Sequence, residues 1–396
     1  MIAQFFSESF SPCRSWRIWR LNRQRIQPGK IVFSNFHGSG YGCNPKYITE
    51  EILRRHLPWD IVWLVDKTQP ILTAAFPQGV RRVAYRSARA LYELASAKIW
   101  INNIRSNRFF YRGLTKKEGQ YYIQTWHGSF GIKKIDAAAG NSFTSEQWIE
   151  TAKLDSACTD YLLSNGSFET WVFSSSFWYD GKILECGHPR NDIFFADMTE
   201  VRARVASYLN LGRDTRYALY APSFRDDRRL YPYHLDVESL AAILEQRFGG
   251  EWRVVVRLHP HLKPFHDKLF PPSKRVLAAS LYDDVQELLA CADVTVTDYS
   301  SCIFDFLLTG RPGFIFAPDG WEFNTMRGFY YPLEETPFPI AATNRELHRN
   351  ILAFDADRYR EKAAAFLLGK GSLEDGLASR RVVDLLQTIV EGSPRA

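Results

Sequence analysis

Short continuous apolar runs, separated by polar turns, dominate the pattern along the chain. Lys30–Ser34, Asp60–Val65, Arg82–Tyr85, Lys98–Asn102, Tyr121–Thr125, Tyr161–Ser164 and Ile183–Cys186 read as strands. Several are apolar throughout, as strands buried on both faces of a parallel sheet are. Helical spacing fills Pro45–Arg55 and Ala88–Ala97 between them. From about residue 200 the alternation restarts with a helix over Val201–Leu209. Strands follow at Tyr217–Tyr220, Arg253–Arg257, Val294–Thr297 and Phe314–Phe316, with helices over Val237–Phe248 and Val285–Ala290. Two blocks of alternating strand and helix predict an α/β protein with two doubly wound halves. In such halves ligands sit beyond the carboxyl ends of the strands, so chemistry is expected in the loops that follow them.

The length of 396 residues agrees with two domains, and 45% hydrophobic with 24% charged residues is a globular composition. The net charge of +6 is unevenly spread. Residues 1–30 carry Arg14, Arg17, Arg20, Arg23, Arg25 and Lys30 against Glu8 alone, which leaves the body nearly neutral. A nucleic-acid partner is therefore not expected, although Arg and Trp alternate over Cys13–Leu21. That stretch has two readings: a helix lying on an anionic membrane surface with Trp at headgroup level, or a solvated leader packed on the domain. No apolar run reaches the ~20 residues that span a bilayer, and no secretory signal precedes the body. A cytoplasmic protein, held peripherally on the inner face of the membrane if the leader binds there, is the expectation. The six cysteines (13, 43, 158, 186, 291, 302) form no CxxC pair, which suits reduced thiols.

Three loops after strands stand out. Thr125-Trp126-His127-Gly128-Ser129 puts a histidine beside a glycine. The imidazole either faces a ligand as a proton acceptor or is bonded to backbone. Arg257-Leu258-His259-Pro260 joins a fixed cation to a histidine, which suits a phosphate or diphosphate or an ordinary salt bridge. Thr297-Asp298-Tyr299-Ser300-Ser301 precedes an apolar helix that ends at Gly310-Arg311-Pro312. Ser300 and Ser301 at its start offer an anion site or merely a cap. Asp305, one turn on, is expected to accept from a ribose hydroxyl. There is no GxGxxG after the first strand, no GxxxxGK[ST] and no GxSxG, and no DxD pair offers an obvious divalent-metal clamp.

Taken in order, TWHG (125–128), GHPRND (187–192), YAPSFRD (220–226), RLHP (257–260), DVTVTDYSSCIFDF (293–306) and RGFY (327–330) resemble the CDP-glycerol glycerophosphotransferase family. Asn44-Pro45-Lys46-Tyr47 also fits, and the likeness runs from about residue 30 to about 350. The resemblance implies a GT-B fold of two Rossmann-like domains facing a cleft. The boundaries expected are a basic leader over 1–29, an acceptor-side domain over 30–198 and a donor-side domain over 199–396. It implies transfer of an alcohol phosphate from a CDP-alcohol, glycerol being the leading choice, to a lipid-linked or oligosaccharide hydroxyl, with release of CMP. A UDP-sugar transferase or epimerase, and a non-catalytic nucleotide- or glycan-binding protein, are the alternatives. His127 matches the family's catalytic base, His259 a histidine near the donor diphosphate, and Ser300 and Ser301 its phosphate-binding serines. Ser223, Arg225, Arg257, Asp305 and Arg327 fall in matched motifs on the donor side; Gly128 and Ser129 belong to the acceptor-side loop. No cofactor is firmly implied, though Mg²⁺ could assist the diphosphate. Where the family continues His-Gly-Thr-Pro-Leu-Lys, this chain has His127-Gly128-Ser129-Phe130-Gly131-Ile132-Lys133-Lys134, and Tyr331-Pro332-Leu333 follows RGFY. Both departures bear on acceptor and donor identity. The short length resembles primase-type members.

Overall fold

A computed structural model describes residues 20–68, 76–106, 109, 113–139, 145–225, 229–271 and 273–392. Most of the basic leader (residues 1–19) and Asp226 of the YAPSFRD motif lie outside the described residues. The first strand begins at Gln27, inside the stretch expected as leader, and Leu21 packs beneath the sheet that follows.

Seven strands form the first sheet: β1 (Gln27–Ser34), β2 (Asp60–Val65), β3 (Arg81–Ala84), β4 (Ala97–Asn102), β5 (Tyr121–Gln124), β6 (Tyr161–Ser164) and β7 (Lys182–Glu185). All pair in parallel, in the order β3-β2-β1-β4-β5-β6-β7. Six form the second: β8 (Arg216–Tyr220), β9 (Trp252–Val256), β10 (Val276–Ala278), β11 (Val294–Thr297), β12 (Gly313–Phe316) and β13 (Ile340–Ala341). These are also parallel, in the order β10-β9-β8-β11-β12-β13. This is the two-sheet GT-B arrangement. Apolar side chains such as Ile31, Phe33 and Ile101, and Ala218, Val254 and Val296 in the second half, are buried on these strands. β10 and β13 are too short for an apolar run to announce them.

Strand order reverses between β1 and β4 in the first half and between β8 and β11 in the second. A reversal leaves a gap beyond the strand ends, because the flanking connections run to opposite sides. Asn35 and Asn103 follow β1 and β4; Ser223 and Asp298 follow β8 and β11. The tail returns to the first half. Helix Ala378–Glu391 buries Val382, Val383 and Leu386 in one cluster with Ile31, Phe33 and Ile48, although it stands last in sequence. Among the described residues no helix is long and apolar enough to cross a membrane, and the five described cysteines are unpaired.

Candidate functional site

At the end of β5 the chain turns through Trp126, whose φ of +50° is in the left-handed region that bulky side chains avoid. Phe36, His37 and Cys43, on the neighbouring loop, share that conformation. Asn44 pins the turn by donating Nδ2 to the carbonyls of Thr125 and Trp126, both at 3.1 Å. His127 then lies with Nδ1 2.6 Å from the carbonyl of Asn103. A carbonyl only accepts, so Nδ1 carries the proton and Nε2 keeps its lone pair. Asn103 is itself held, donating Nδ2 to Asn35 Oδ1 at 2.8 Å. The ring packs against Trp126 and Phe36, with centroids 4.3 and 5.0 Å away. Burial pulls His127 down to about 4, and the positive charges of Arg190, Lys133 and His37 push the same way. At neutral pH the ring is an uncharged base.

Both residues after His127 are fixed. A Cβ on Gly128 would lie 3.1 Å from the Trp126 indole nitrogen, so glycine leaves room for that ring. The Gly128 carbonyl accepts from Arg190, and Ser129 Oγ accepts from Asn165 Nδ2 at 2.9 Å.

Across the seam, Asp298 accepts from the backbone N–H of Ser223 at 2.8 Å. Arg225, expected among the donor-binding cations, is instead consumed by the fold. It pairs with Asp298 at 2.7 Å and Asp319 at 2.6 Å, under the rings of Tyr299 and Phe323. The hydrogen-bond donors of this buried guanidinium are committed to those two carboxylates and to the Ser223 carbonyl. Asp305, expected to accept from a ribose hydroxyl, is likewise occupied. Its oxygens receive Arg190 Nε at 3.0 Å, Asn191 Nδ2 at 3.1 Å and Gln286 Nε2 at 3.3 Å. Arg257 donates to the carbonyls of Ala279 and Tyr282, and burial lowers its basicity. The exposed His259 ring stacks on Phe224 at 5.2 Å. Ser300 and Ser301 are half-buried at the start of helix Cys302–Leu307, and the Ser301 hydroxyl makes no capping bond.

The loop rooted at His127 brings several of these residues together. Ile132 accepts from Tyr330 N–H at 2.8 Å and Lys134 N–H donates to Gly328 at 3.0 Å, a short antiparallel contact between the halves. Arg327 Nε donates to the Lys134 carbonyl at 3.2 Å. A Cβ on Gly131 would lie 3.2 Å from Ser301 Cβ, so the loop passes directly over that serine. Lys133 Nζ donates to Ser223 Oγ at 3.3 Å. Ser301, Ser223 and Arg327 thus all touch the loop that begins at His127, whereas Arg225 and Asp305 are held in buried ion pairs.

Four residues absent from the expected site lie on or touch the loop that carries His127: Asn44, Asn103, Lys133 and Arg190. Asn44 and Arg190 lay within the quoted motifs but had no role there. The Asn102-Asn103 pair, polar at the end of an apolar strand, was a legible signal. A further buried group lies beneath: Glu169 Oε2 and His188 Nε2 are 2.8 Å apart but misaligned for a hydrogen bond. Burial pushes Glu169 up to about 8 and His188 well down, so both are neutral near pH 7. Glu374, which accepts from Asn191 at 2.8 Å, is also pushed up to about 8 by burial. Among the described residues no three His, Cys, Asp or Glu side chains gather into a metal-holding group.

Two parallel sheets, with a neutral histidine and paired serines on loops where they meet, make a GT-B architecture. The chain belongs to the CDP-glycerol:poly(glycerophosphate) glycerophosphotransferase family, whose profile matches residues 18–388. It is 30% identical over 379 residues to the teichoic acid poly(glycerol phosphate) polymerase of Staphylococcus epidermidis, covering 91% of this chain and 51% of that protein. The chain thus spans about half the length of that relative. With the teichoic acid glycerol-phosphate transferase of Staphylococcus aureus it shares 31% identity over 366 residues, 89% of this chain and 91% of that one. The solved structure of the wall teichoic acid polymerase TagF superposes with a TM-score of 0.81 at 27% identity, covering 98% of this chain and 100% of that chain.

Proposed function

We propose that this chain transfers glycerol phosphate from CDP-glycerol to a hydroxyl of a teichoic-acid-type acceptor, releasing CMP. The acceptor oxygen attacks the phosphorus that bears glycerol. Its proton passes to His127 Nε2, a P–O bond to the acceptor forms, and the bridging P–O bond breaks with its electron pair leaving on CMP. The observation that carries this reading is the tautomer of His127: Nδ1 spent on the Asn103 carbonyl leaves Nε2 as a base, on the loop that overlies Ser301. Names of the relatives point to glycerol phosphate as the transferred unit. CMP already leaves as a stable anion, so the site needs one base and fixed positive potential rather than an acid.

In this assignment the first half holds the acceptor and the second holds the donor, with Ser300, Ser301, Ser223, Arg327 and His259 around the diphosphate. Residues 1–25 would bring the enzyme to an anionic membrane where a lipid-linked acceptor resides, and deleting them should release it from anionic liposomes. The deciding experiment incubates the protein with CDP-glycerol, CDP-ribitol and UDP-sugars beside candidate acceptors. CMP release from CDP-glycerol is expected; release of UDP alone would overturn the reading.

A further inference from the structure

Buried lysines elsewhere in this protein are matched to carboxylates. Lys30 lies 2.9 Å from Glu93; Lys46 lies 2.9 Å from Asp284 and 2.5 Å from Glu287. Lys133 differs. It is half-buried at the seam, and among the described residues no carboxylate comes within ion-pairing distance of it. The carboxylate that faces it, Asp298, already accepts from Arg225, from Ser223 N–H and from Tyr299 N–H. The other groups around it are the guanidiniums of Arg225 and Arg327, the Cys302 thiol and the Ser223 hydroxyl. Two of these are cations, and the thiol is held protonated by burial, which raises it to about 11. The backbone on both sides of Lys133 is fixed, by Tyr330 at Ile132 and by Gly328 at Lys134, so its direction is set by the fold. Gly131, two residues back, overlies Ser301.

We propose that Lys133 is a substrate-binding residue, the cation that the first half extends over Ser223 and Ser301 to hold an anionic oxygen of the donor diphosphate. The proposal rests on the reading of the chain as a CDP-glycerol transferase. An anion in that position would supply the missing counter-charge and would tie closure of the two halves to donor occupancy. Burial together with Arg327 and Arg225 brings Lys133 down to about 8, so its charge fades as pH rises from 7 to 9. Neither phosphate of a CDP-alcohol titrates in that interval.

Calorimetric binding of CDP-glycerol, CMP and cytidine to wild type, Lys133→Met and Lys133→Arg tests this. At pH 7 the Met variant should bind CDP-glycerol about 10-fold more weakly or worse, with cytidine unchanged, whereas the Arg variant stays within a few-fold of wild type. Between pH 7 and 9 wild-type affinity for CDP-glycerol should fall about 10-fold, while that of the Arg variant stays flat. A Met variant that binds CDP-glycerol as tightly as wild type, or loses cytidine equally, overturns the proposal alone. If the Met variant does not fold, Lys133→Gln carries the same comparison, and binding of CDP-glycerol by it as tight as wild type overturns the proposal. Wild-type protein that binds no CDP-glycerol overturns the substrate reading and this proposal together.

Discussion

The two reversals of strand order occupy equivalent places in their sheets and are built from opposite materials. Beyond β1 and β4 the first half gathers neutral amides, Asn35, Asn44 and Asn103, around an uncharged imidazole. Beyond β8 and β11 the second half gathers full charges, Arg225 with Asp298 and Asp319. A base must keep its lone pair, and neutral hydrogen-bond partners fix its tautomer without adding a carboxylate that would protonate it. An anion-facing loop must be rigid, and a buried ion triad supplies rigidity at the expense of its own reach towards ligand. The same fold position thus holds an uncharged imidazole among amides in one half and a buried ion triad in the other.

Each side of this contrast can be broken separately. The largest effect is expected at His127→Ala: turnover should drop by about 10²–10⁴-fold while CDP-glycerol affinity stays within a few-fold. Substantial residual activity in a rapid-quench assay would remove the base assignment. In the charged half, Arg225→Met strands two carboxylates and should cost about 3–5 kcal/mol in urea unfolding. A loss of donor affinity without a loss of stability would show instead that Arg225 meets the ligand. Glu169 and Glu374 sharpen the picture between the halves. Both hold a proton in the fold near pH 7 and lose it on unfolding, so their stabilisation is full below pH 4.5 and is lost as pH rises through 8. Between pH 6.5 and 8, above the range where His127 and His188 act, stability should fall by roughly 1 kcal/mol per pH unit for each. Paired Glu→Gln changes at 169 and 374 should flatten that slope; an unchanged slope would rule the two carboxyls out. The smallest effect is at Ser129→Ala, which deprives buried Asn165 of its acceptor and should cost about 1 kcal/mol.

Most strands were legible because a strand buried on both faces must be apolar throughout, as Ile31-Val32-Phe33 and Val254-Val255-Val256 are. The helices Asn344–Leu352 and Ala356–Gly369 were not, although a Thr343–Glu346 capping box opens the first and Asp355 caps the second, because few apolar positions are spread among many charges. At the site, motif order located the loops, but the residues within them were sorted by partners far away in sequence. Nothing near Arg225 announces that Asp319 will neutralise it, and nothing near Asp305 announces Arg190. Long-range ion pairing decided which charged motif residues face outward, and a single sequence does not display it.

The returning C-terminal helix has a mechanical consequence. The chain crosses between the halves near residues 187–198 and again near 369–378, and the crossings are laced together. Asp192 accepts from Ala378 N–H at 3.0 Å and from Ser379 N–H at 2.7 Å, and Asn191 reaches Glu374. Two crossings laced side by side share any load between the halves, and the last helix is fastened at its first turn by Asp192 as well as along its apolar face by the first sheet.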